Sequence, residues 1–227
     1  MKFNEKYIQT TEQLRVKFGN KDKIMILEIN PDNIDIRSIN QVVEVLKKGG
    51  LVIFPTDSVY AIGCDLYNKK ALEKLAKLKD IKLNKANFSI ICTGMSDLSK
   101  YVKQIDRPIF KLLNTTLPGP FTFILPATSE IPKLFDSNRK DIGIRIPNNP
   151  IIIAIAEKLG NPIATTSLKD DSSIFEYHND PDEIVEHYND KVDLIIDGGF
   201  GKLDGTTVVD CTSGAPEIIR QGLGILD

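Results

Sequence analysis

The chain has 227 residues, 41% hydrophobic and 26% charged, which is typical of a folded globular protein and excludes collagen, a coiled coil and a wholly disordered chain. Its 29 basic and 31 acidic side chains give a net charge of -2, so indiscriminate nucleic-acid binding by a uniformly positive surface is excluded as well. The cysteines Cys64, Cys92 and Cys211 form no C-x-x-C pair, and we expect buried free thiols in a reducing cytoplasm. No apolar run approaches the ~20 residues that span a bilayer, so no membrane segment is expected.

The predicted elements alternate between strand and helix along the chain. Residues 1–23 are polar and aperiodic and are interpreted as a lead-in, whereas residues 24–227 are predicted to form one domain. The predicted strands are 24–29, 51–54, 89–92, 121–125, 142–146, 163–166, 194–196, 207–209 and 218–220. The predicted helices are 36–46, 69–79, 108–115, 150–159 and 181–188. This alternation favours an α/β fold.

Several standard sites are missing from the sequence. No G-x-x-x-x-G-K-[ST] motif is present, and no G-x-G-x-x-G lies between a strand and a helix. The two histidines, His178 and His187, lie nine positions apart in an acidic stretch that is interpreted as a solvated face. We expect them to be surface residues rather than zinc ligands or members of a catalytic triad.

Short hydroxyl side chains cluster at the ends of predicted strands. The clusters are 55–58, 115–122, 165–167 and 205–207. Hydroxyls and free backbone N–H groups at strand ends suit a polar, anionic ligand. Each cluster alone is equally consistent with turn and cap chemistry, but four of them in one sheet favour a shared pocket.

Positive charge is concentrated in one segment and on two strands. Seven lysines, at positions 69, 70, 74, 77, 79, 82 and 85, lie on the second predicted helix and just beyond its end. Arg145 and Arg220 each lie on a predicted buried strand, where a guanidinium needs an anionic or carbonyl partner. Phosphate is the natural ligand of such groups.

A set of ordered motifs resembles the YrdC-like family. It begins with residues 49–64 (GGLVIFPTDSVYAIGC) and continues with LK at 78–79, PGPFT at 118–122, GIRIP at 143–147, TTS at 165–167, TTVVD at 206–210 and IRQG at 219–222. The resemblance implies a single-domain twisted mixed sheet with flanking helices and a concave basic cavity. It also implies the family's activity, in which L-threonine, bicarbonate and ATP give threonylcarbamoyl-AMP and pyrophosphate for the modification of tRNA.

The resemblance also implies which residues form the site. The substrate-binding residues would be Thr56, Tyr60, Thr122 and Ser167, and the nucleotide-binding residues would be Lys79, Arg145, Thr206 and Arg220. ATP would enter as a substrate with Mg²⁺, without a metal held by the protein itself. No catalytic side chain is assigned, because the carbamate of threonine would be the attacking group.

Two positions depart from the synthase pattern. The synthases carry Lys-x-Arg where this chain ends the motif with Ile81, and Ser-x-Asn where it ends with Lys169. These departures resemble the YciO branch of the family and predict weak synthesis, because isoleucine cannot clamp a phosphate. Two alternatives stay open: a hydrolase of threonylcarbamoyl-AMP or a related group, and a module that binds double-stranded RNA or tRNA.

Overall fold

The computed structural model describes residues 24–168 and 178–226, so the lead-in 1–23 and Lys169 lie outside the described residues. The described strands are β1 (Met25–Glu28), β2 (Val52–Phe54), β3 (Ala61–Asp65), β4 (Ser89–Ile91), β5 (Phe121–Pro126), β6 (Asp141–Arg145), β7 (Ile163–Ser167), β8 (Leu194–Asp197), β9 (Thr207–Asp210) and β10 (Glu217–Arg220). The described helices are α1 (Ile36–Lys47), α2 (Lys69–Leu78), α3 (Met95–Leu98), α4 (Arg107–Thr116), α5 (Glu130–Leu134), α6 (Pro150–Leu159) and α7 (Pro181–Tyr188). The predicted α/β class is confirmed.

All these strands belong to one mixed sheet, in the order β1-β8-β2-β3-β7-β4-β6-β5-β9-β10. The pairs β1·β8, β2·β8, β4·β6 and β5·β9 are parallel, and the other neighbouring pairs are antiparallel. Strands from the middle and the end of the sequence thus become neighbours, which brings the predicted hydroxyl clusters onto one sheet.

Apolar side chains pack against both faces of the sheet. On β2, Val52 and Phe54 belong to the cluster that contains residues of α1 and α6, whereas Ile53 belongs to the cluster that contains residues of α2. Successive side chains of a strand point to opposite faces. Helices α1 and α6 therefore cover one face, and α2 covers the other.

Local sequence signals account for the ends of helix α6. The side chain of Asn149 accepts hydrogen bonds from the N–H groups of Ile151 and Ile152, with Pro150 in the first turn. At the other end Gly160 takes a left-handed conformation with φ of 77°. The predicted bounds 150–159 are confirmed, and so are those of α7.

Strand β3 is an element that the sequence pattern does not predict. It pairs with β2 on one side and β7 on the other, and all five of its residues are buried. Its sequence, AIGCD, shows neither a continuous apolar run nor an alternation of apolar and polar positions, because Gly63 and Asp65 interrupt it. Gly63 fits there because a Cβ at that position would lie 2.6 Å from the carbonyl oxygen of Ala164.

The three cysteines are buried free thiols, as predicted from their spacing. The pKa of each thiol is raised, and burial is the largest cause of the shift in all three cases. Thiols of this kind behave as small apolar side chains rather than as nucleophiles. In the described ranges, no helix has the length and apolar character needed to cross a membrane.

Candidate functional site

A cavity of about 360 Å³ lies over strands β7, β4, β6, β5, β9 and β10. Its lining is polar and positively charged, with three guanidinium groups and one carboxylate among the described residues. The lining residues are Asn87, Ser89, Thr122, Ile124, Arg139, Asp141, Gly143, Arg145, Thr165, Thr166, Ser167, Thr206, Val208 and Arg220. The structure therefore contains a concave basic cavity of the kind that the resemblance implies.

Arg145, the last residue of β6, has a buried guanidinium held by a single short segment. Its Nη2 donates to Asp57 Oδ1 at 2.9 Å, to Ser58 Oγ at 3.2 Å and to Thr56 Oγ1 at 3.3 Å. Both side chains of the Arg145–Asp57 ion pair are 7% exposed. Burial lowers the pKa of Arg145, and the negative charge of Asp57 opposes that shift. Asp57 thus neutralises one of the three cavity arginines.

The polar side chains that follow β2 are used to hold Arg145 rather than to line the cavity. The Thr56 hydroxyl donates to the carbonyl oxygen of Val59 at 2.8 Å and accepts from the N–H of Ser58 at 3.1 Å. Asp57 Oδ2 accepts from the N–H of Asn148 at 2.8 Å. The segment is therefore a rigid support behind the site.

Arg220 bonds to Thr206, the residue before β9, and through it to a hydroxyl on β5. Its Nη2 donates to the Thr206 carbonyl oxygen at 2.9 Å and to Thr206 Oγ1 at 3.2 Å. The hydroxyl of Thr206 in turn lies 2.8 Å from that of Thr122. The prediction that Arg220 lies on a buried strand is wrong, because β10 is the edge strand of the sheet and all four of its residues are exposed. Its predicted carbonyl partner is present.

Tyr60 is fully buried and lies outside the cavity lining. Its hydroxyl donates to the Gly199 carbonyl oxygen at 2.7 Å and accepts from the N–H of Gly198 at 3.1 Å. Burial raises the pKa of Tyr60 to about 12. The side chain anchors the loop that follows β8.

Lys79 lies at the C-terminal cap of α2, and Ile81 follows two positions later with 39% of its surface exposed. Neither residue is among those that line the cavity. The structure thus brings together five of the eight predicted site residues, namely Thr122, Ser167, Arg145, Thr206 and Arg220, and it leaves Thr56, Tyr60 and Lys79 outside the lining. The binding role of each stays a prediction.

Sequence reasoning assigned no site role to Arg139, Asp141 or Gly143, which line the cavity with Arg145. Alternate residues of a strand point to the same face. The spacing of two that predicts β6 therefore also indicates that one face is shared by residues 139, 141, 143 and 145. A Cβ at Gly143 would lie 2.6 Å from Ser89 Oγ, so glycine leaves room for that hydroxyl in its present position.

The two histidines lie together, with their ring centroids 4.5 Å apart. His187 is exposed, as predicted, and its Nδ1 lies 2.8 Å from the Glu183 carbonyl oxygen. Within residues 24–168 and 178–226, no group of three or more His, Cys, Asp or Glu side chains is placed to hold a metal ion.

The sequence similarity to known proteins extends over most of this chain. A family model described as "Sua5_yciO_yrdC: Telomere recombination" matches residues 44–222. The YciO protein of Escherichia coli K12 is 42% identical over 197 residues, which cover 86% of this chain and 94% of YciO. The threonylcarbamoyl-AMP synthase of Coxiella burnetii is 28% identical over 185 residues, which cover 81% of this chain and 97% of the synthase.

Solved structures agree with these matches. The crystal structure of E. coli YciO superposes with a TM-score of 0.81 at 40% identity and covers 89% of this chain and 97% of that chain. The structure of P. abyssi Sua5 complexed with L-threonine has a TM-score of 0.79 at 24% identity, covering 87% of this chain and 57% of that chain, which shows a shared fold. The chain therefore belongs to the Sua5/YciO/YrdC family.

Proposed function

We propose that the cavity binds ATP or an acyl-adenylate, with threonylcarbamoyl-AMP as the leading candidate. One observation carries the proposal: among the described residues, Arg139 and Arg220 line the cavity without a carboxylate within ion-pair distance. Both bond to neutral oxygens of the chain instead. Two guanidinium groups without an ion-paired carboxylate in one cavity favour an anionic ligand, and arginine is suited to bind phosphate through paired N–H groups.

The family supplies the candidate reaction. Its members include the C. burnetii threonylcarbamoyl-AMP synthase, and P. abyssi Sua5 has been solved as a complex with L-threonine. The proposed substrates are therefore L-threonine, bicarbonate and ATP. In synthesis, a carbamate oxygen bonds to the α-phosphorus, the bond from that phosphorus to the bridging oxygen breaks, and pyrophosphate leaves.

The chain would contribute position and charge to this step. Arg220, Thr206 and Thr122 form one hydrogen-bonded series along the cavity wall, suited to hold the phosphate oxygens as their charge increases. Mg²⁺ is not assigned to the protein, because Asp141 is the one carboxylate of the described lining. The ion would accompany the phosphates of ATP.

A second reaction suited to the same cavity is hydrolysis of the adenylate. In hydrolysis, water attacks the mixed anhydride of threonylcarbamoyl-AMP, so that AMP and the carbamate of threonine are released. Isoleucine at position 81 and lysine at position 169 replace two polar groups of the synthase pattern. We therefore expect slow synthesis, with hydrolysis at least as fast.

Two assays on purified protein test the proposal. One measures pyrophosphate release with ATP, Mg²⁺, L-threonine and bicarbonate, and the other measures AMP release from supplied threonylcarbamoyl-AMP. Turnover in either assay that falls in Arg220→Ala, but not in Arg107→Gln, would support an enzyme using this cavity. Arg107 is the control because it is exposed and lies outside the cavity lining. No turnover in either assay from folded protein would contradict it.

The RNA-binding alternative receives no specific support from the described contacts. Two lysines of its basic segment are engaged within the chain: Lys69 forms an ion pair with Asp136 at 2.6 Å, and Lys74 donates to the Gly49 carbonyl oxygen at 3.0 Å. Binding to several phosphates would weaken steeply with added salt. A steep salt dependence that Lys82→Ala and Lys85→Ala reduce would favour that alternative.

A further inference from the structure

Thr206 and Thr207 are adjacent hydroxyl residues that face opposite sides of the sheet. Thr206 and Val208 line the cavity, whereas Val209 is buried in the apolar cluster on the other side. Because successive residues of a strand point to opposite faces, Thr207 lies on the same side as Val209, behind the cavity. Its side chain is fully buried and is not part of the cavity lining. Thr207 can therefore act on a ligand in the cavity only through other residues.

The Thr207 hydroxyl holds the segment that follows β10. Its Oγ1 donates to the Gly224 carbonyl oxygen at 2.6 Å, and it accepts from the N–H of Gly222 at 2.9 Å and from Gln221 Nε2 at 3.2 Å. Gln221 Nε2 also donates to the Gly224 carbonyl oxygen, at 2.7 Å. Residues 221–224 thus form a clasp that is closed around one buried hydroxyl.

The clasp packs directly against the peptide that holds Arg220. A Cβ at Gly222 would lie 2.6 Å from the Thr206 carbonyl oxygen, and the N–H of Leu223 donates to the Gly205 carbonyl oxygen at 3.0 Å. The same Thr206 oxygen accepts from Arg220 Nε at 3.3 Å and from Nη2 at 2.9 Å. The position of the clasp therefore sets the position of the acceptor that orients Arg220.

No other described contact fixes the guanidinium of Arg220. It lies on the exposed edge strand β10 and forms no ion pair with a described residue. Its hydrogen bonds within the described residues all go to the carbonyl oxygen or the hydroxyl of Thr206, and they use Nε and Nη2. The direction in which Arg220 presents its Nη1 to the cavity therefore depends on Thr206.

We propose that Thr207 is a positioning residue for anion binding, acting through the clasp and Thr206 on the guanidinium of Arg220. This inference rests on the proposed function, because it requires an anionic ligand at Arg220. Thr207 and Gln221 lie in two of the motifs that carry the family resemblance, and the resemblance assigns a binding role to neither. Their shared contact behind the cavity supplies one.

Calorimetric titration with ATP tests the inference on the full chain. Thr207→Val removes the hydroxyl at nearly constant volume, and we expect it to weaken ATP binding about tenfold. Thr207→Ser keeps the hydroxyl and should bind ATP as wild type does. Gln221→Met removes the Nε2 donor at an exposed position and should also weaken binding, so it decides the question if Thr207→Val does not fold.

A core substitution controls for lost stability. Val42 is fully buried in the cluster that contains residues of α1 and α6, and it lies outside the cavity lining. Val42→Ala should lower the melting temperature and leave ATP affinity unchanged. A purely structural role for Thr207 predicts the same behaviour for Thr207→Val.

A double variant shows whether Thr207 acts through Arg220. Thr207→Val/Arg220→Ala should bind ATP no more weakly than Arg220→Ala alone, because the guanidinium that Thr207 positions is gone. Two results would overturn the inference and leave the proposed function standing: unchanged ATP affinity in Thr207→Val, or equal weakening by Thr207→Val with and without Arg220. Failure of folded wild-type protein to bind ATP would contradict the proposed function, and the inference with it.

Discussion

Asp57 and Arg145 form a buried ion pair at 2.9 Å although they are 88 positions apart in sequence. The pair ties the segment after β2 to the end of β6, and two of the strands between them in the sheet, β7 and β4, contribute residues to the cavity lining. A buried guanidinium is stable only with a partner of this kind. The positively charged cavity therefore depends on a carboxylate that lies behind it.

Removing that carboxylate should destabilise the fold. Asp57→Asn leaves the Arg145 charge buried and uncompensated, for which we expect a loss of about 3 to 5 kcal/mol in the free energy of unfolding. Urea denaturation measures the change. The matched control is Glu130→Gln, which breaks the exposed pair with Lys133 and should cost under about 1 kcal/mol. Equal losses in the two variants would show that the buried pair has no special importance.

Filling the cavity floor should affect both stability and binding. Gly143→Ala places a Cβ 2.6 Å from Ser89 Oγ, so we expect a loss of about 1 to 3 kcal/mol from overpacking and weaker ATP binding. Thermal unfolding and calorimetric titration measure the two effects. Gly94→Ala is the control, because a Cβ there meets nothing within 4 Å.

The double variant Gly143→Ala/Ser89→Ala removes the hydroxyl that causes the clash. It should recover part of the lost stability, since the nearest remaining contacts of the new Cβ are Ser89 Cβ and Thr122 Cγ2, both at 3.3 Å. A double variant as unstable as Gly143→Ala alone would show that the glycine is required for another reason.

Tyr60 should contribute to stability in a pH-dependent way. Its pKa is raised by burial to about 12 from an ordinary value of 10.0, so its contribution is complete below pH 10 and is lost as the pH rises towards 12. Between pH 10 and pH 12 the free energy of unfolding should therefore fall by about 2 kcal/mol more in wild-type protein than in Tyr60→Phe. Urea midpoints measured across that range test the difference. Parallel pH profiles for the two proteins would contradict the buried, hydrogen-bonded position of Tyr60.

At neutral pH the same substitution should already lower stability. Tyr60→Phe removes the acceptor of the Gly198 N–H and the donor to the Gly199 carbonyl oxygen, a loss of about 1 to 2 kcal/mol. Unchanged neutral-pH stability together with impaired threonine binding would instead support the substrate-binding role that the family resemblance implies.

The sequence predicts those elements of this fold that carry a continuous apolar run or a helical period between clear end signals. Helix α6 is found at its predicted bounds because Asn149 and Gly160 mark its two ends. Strand β3 is missed because Gly63 and Asp65 interrupt its apolar run, and helices α3 and α5 are missed because four or five residues are too few to show a helical period.

The site was predictable in its chemistry more than in its geometry. Motif resemblance gives Arg220 and Thr206, which do line the cavity, but also Tyr60, which a tertiary contact to the loop after β8 draws into the core. Arg139 belongs to none of the quoted motifs. It reaches the cavity because the parallel pairing of β4 and β6 brings it beside Ala86 and Phe88, a long-range contact that no local pattern reveals.

Calorimetric titration of ATP into wild-type protein and Arg220→Ala tests the nucleotide-binding cavity. We expect saturable binding at one site in wild-type protein and a loss of about 1.5 to 3 kcal/mol of binding free energy in Arg220→Ala, the range for a hydrogen bond to a charged group. Melting temperature should change little, because Arg220 lies on an exposed edge strand, and Arg107→Gln should bind as wild type does. An unchanged ATP affinity in Arg220→Ala, or no binding by folded wild-type protein, would contradict a nucleotide site in this cavity.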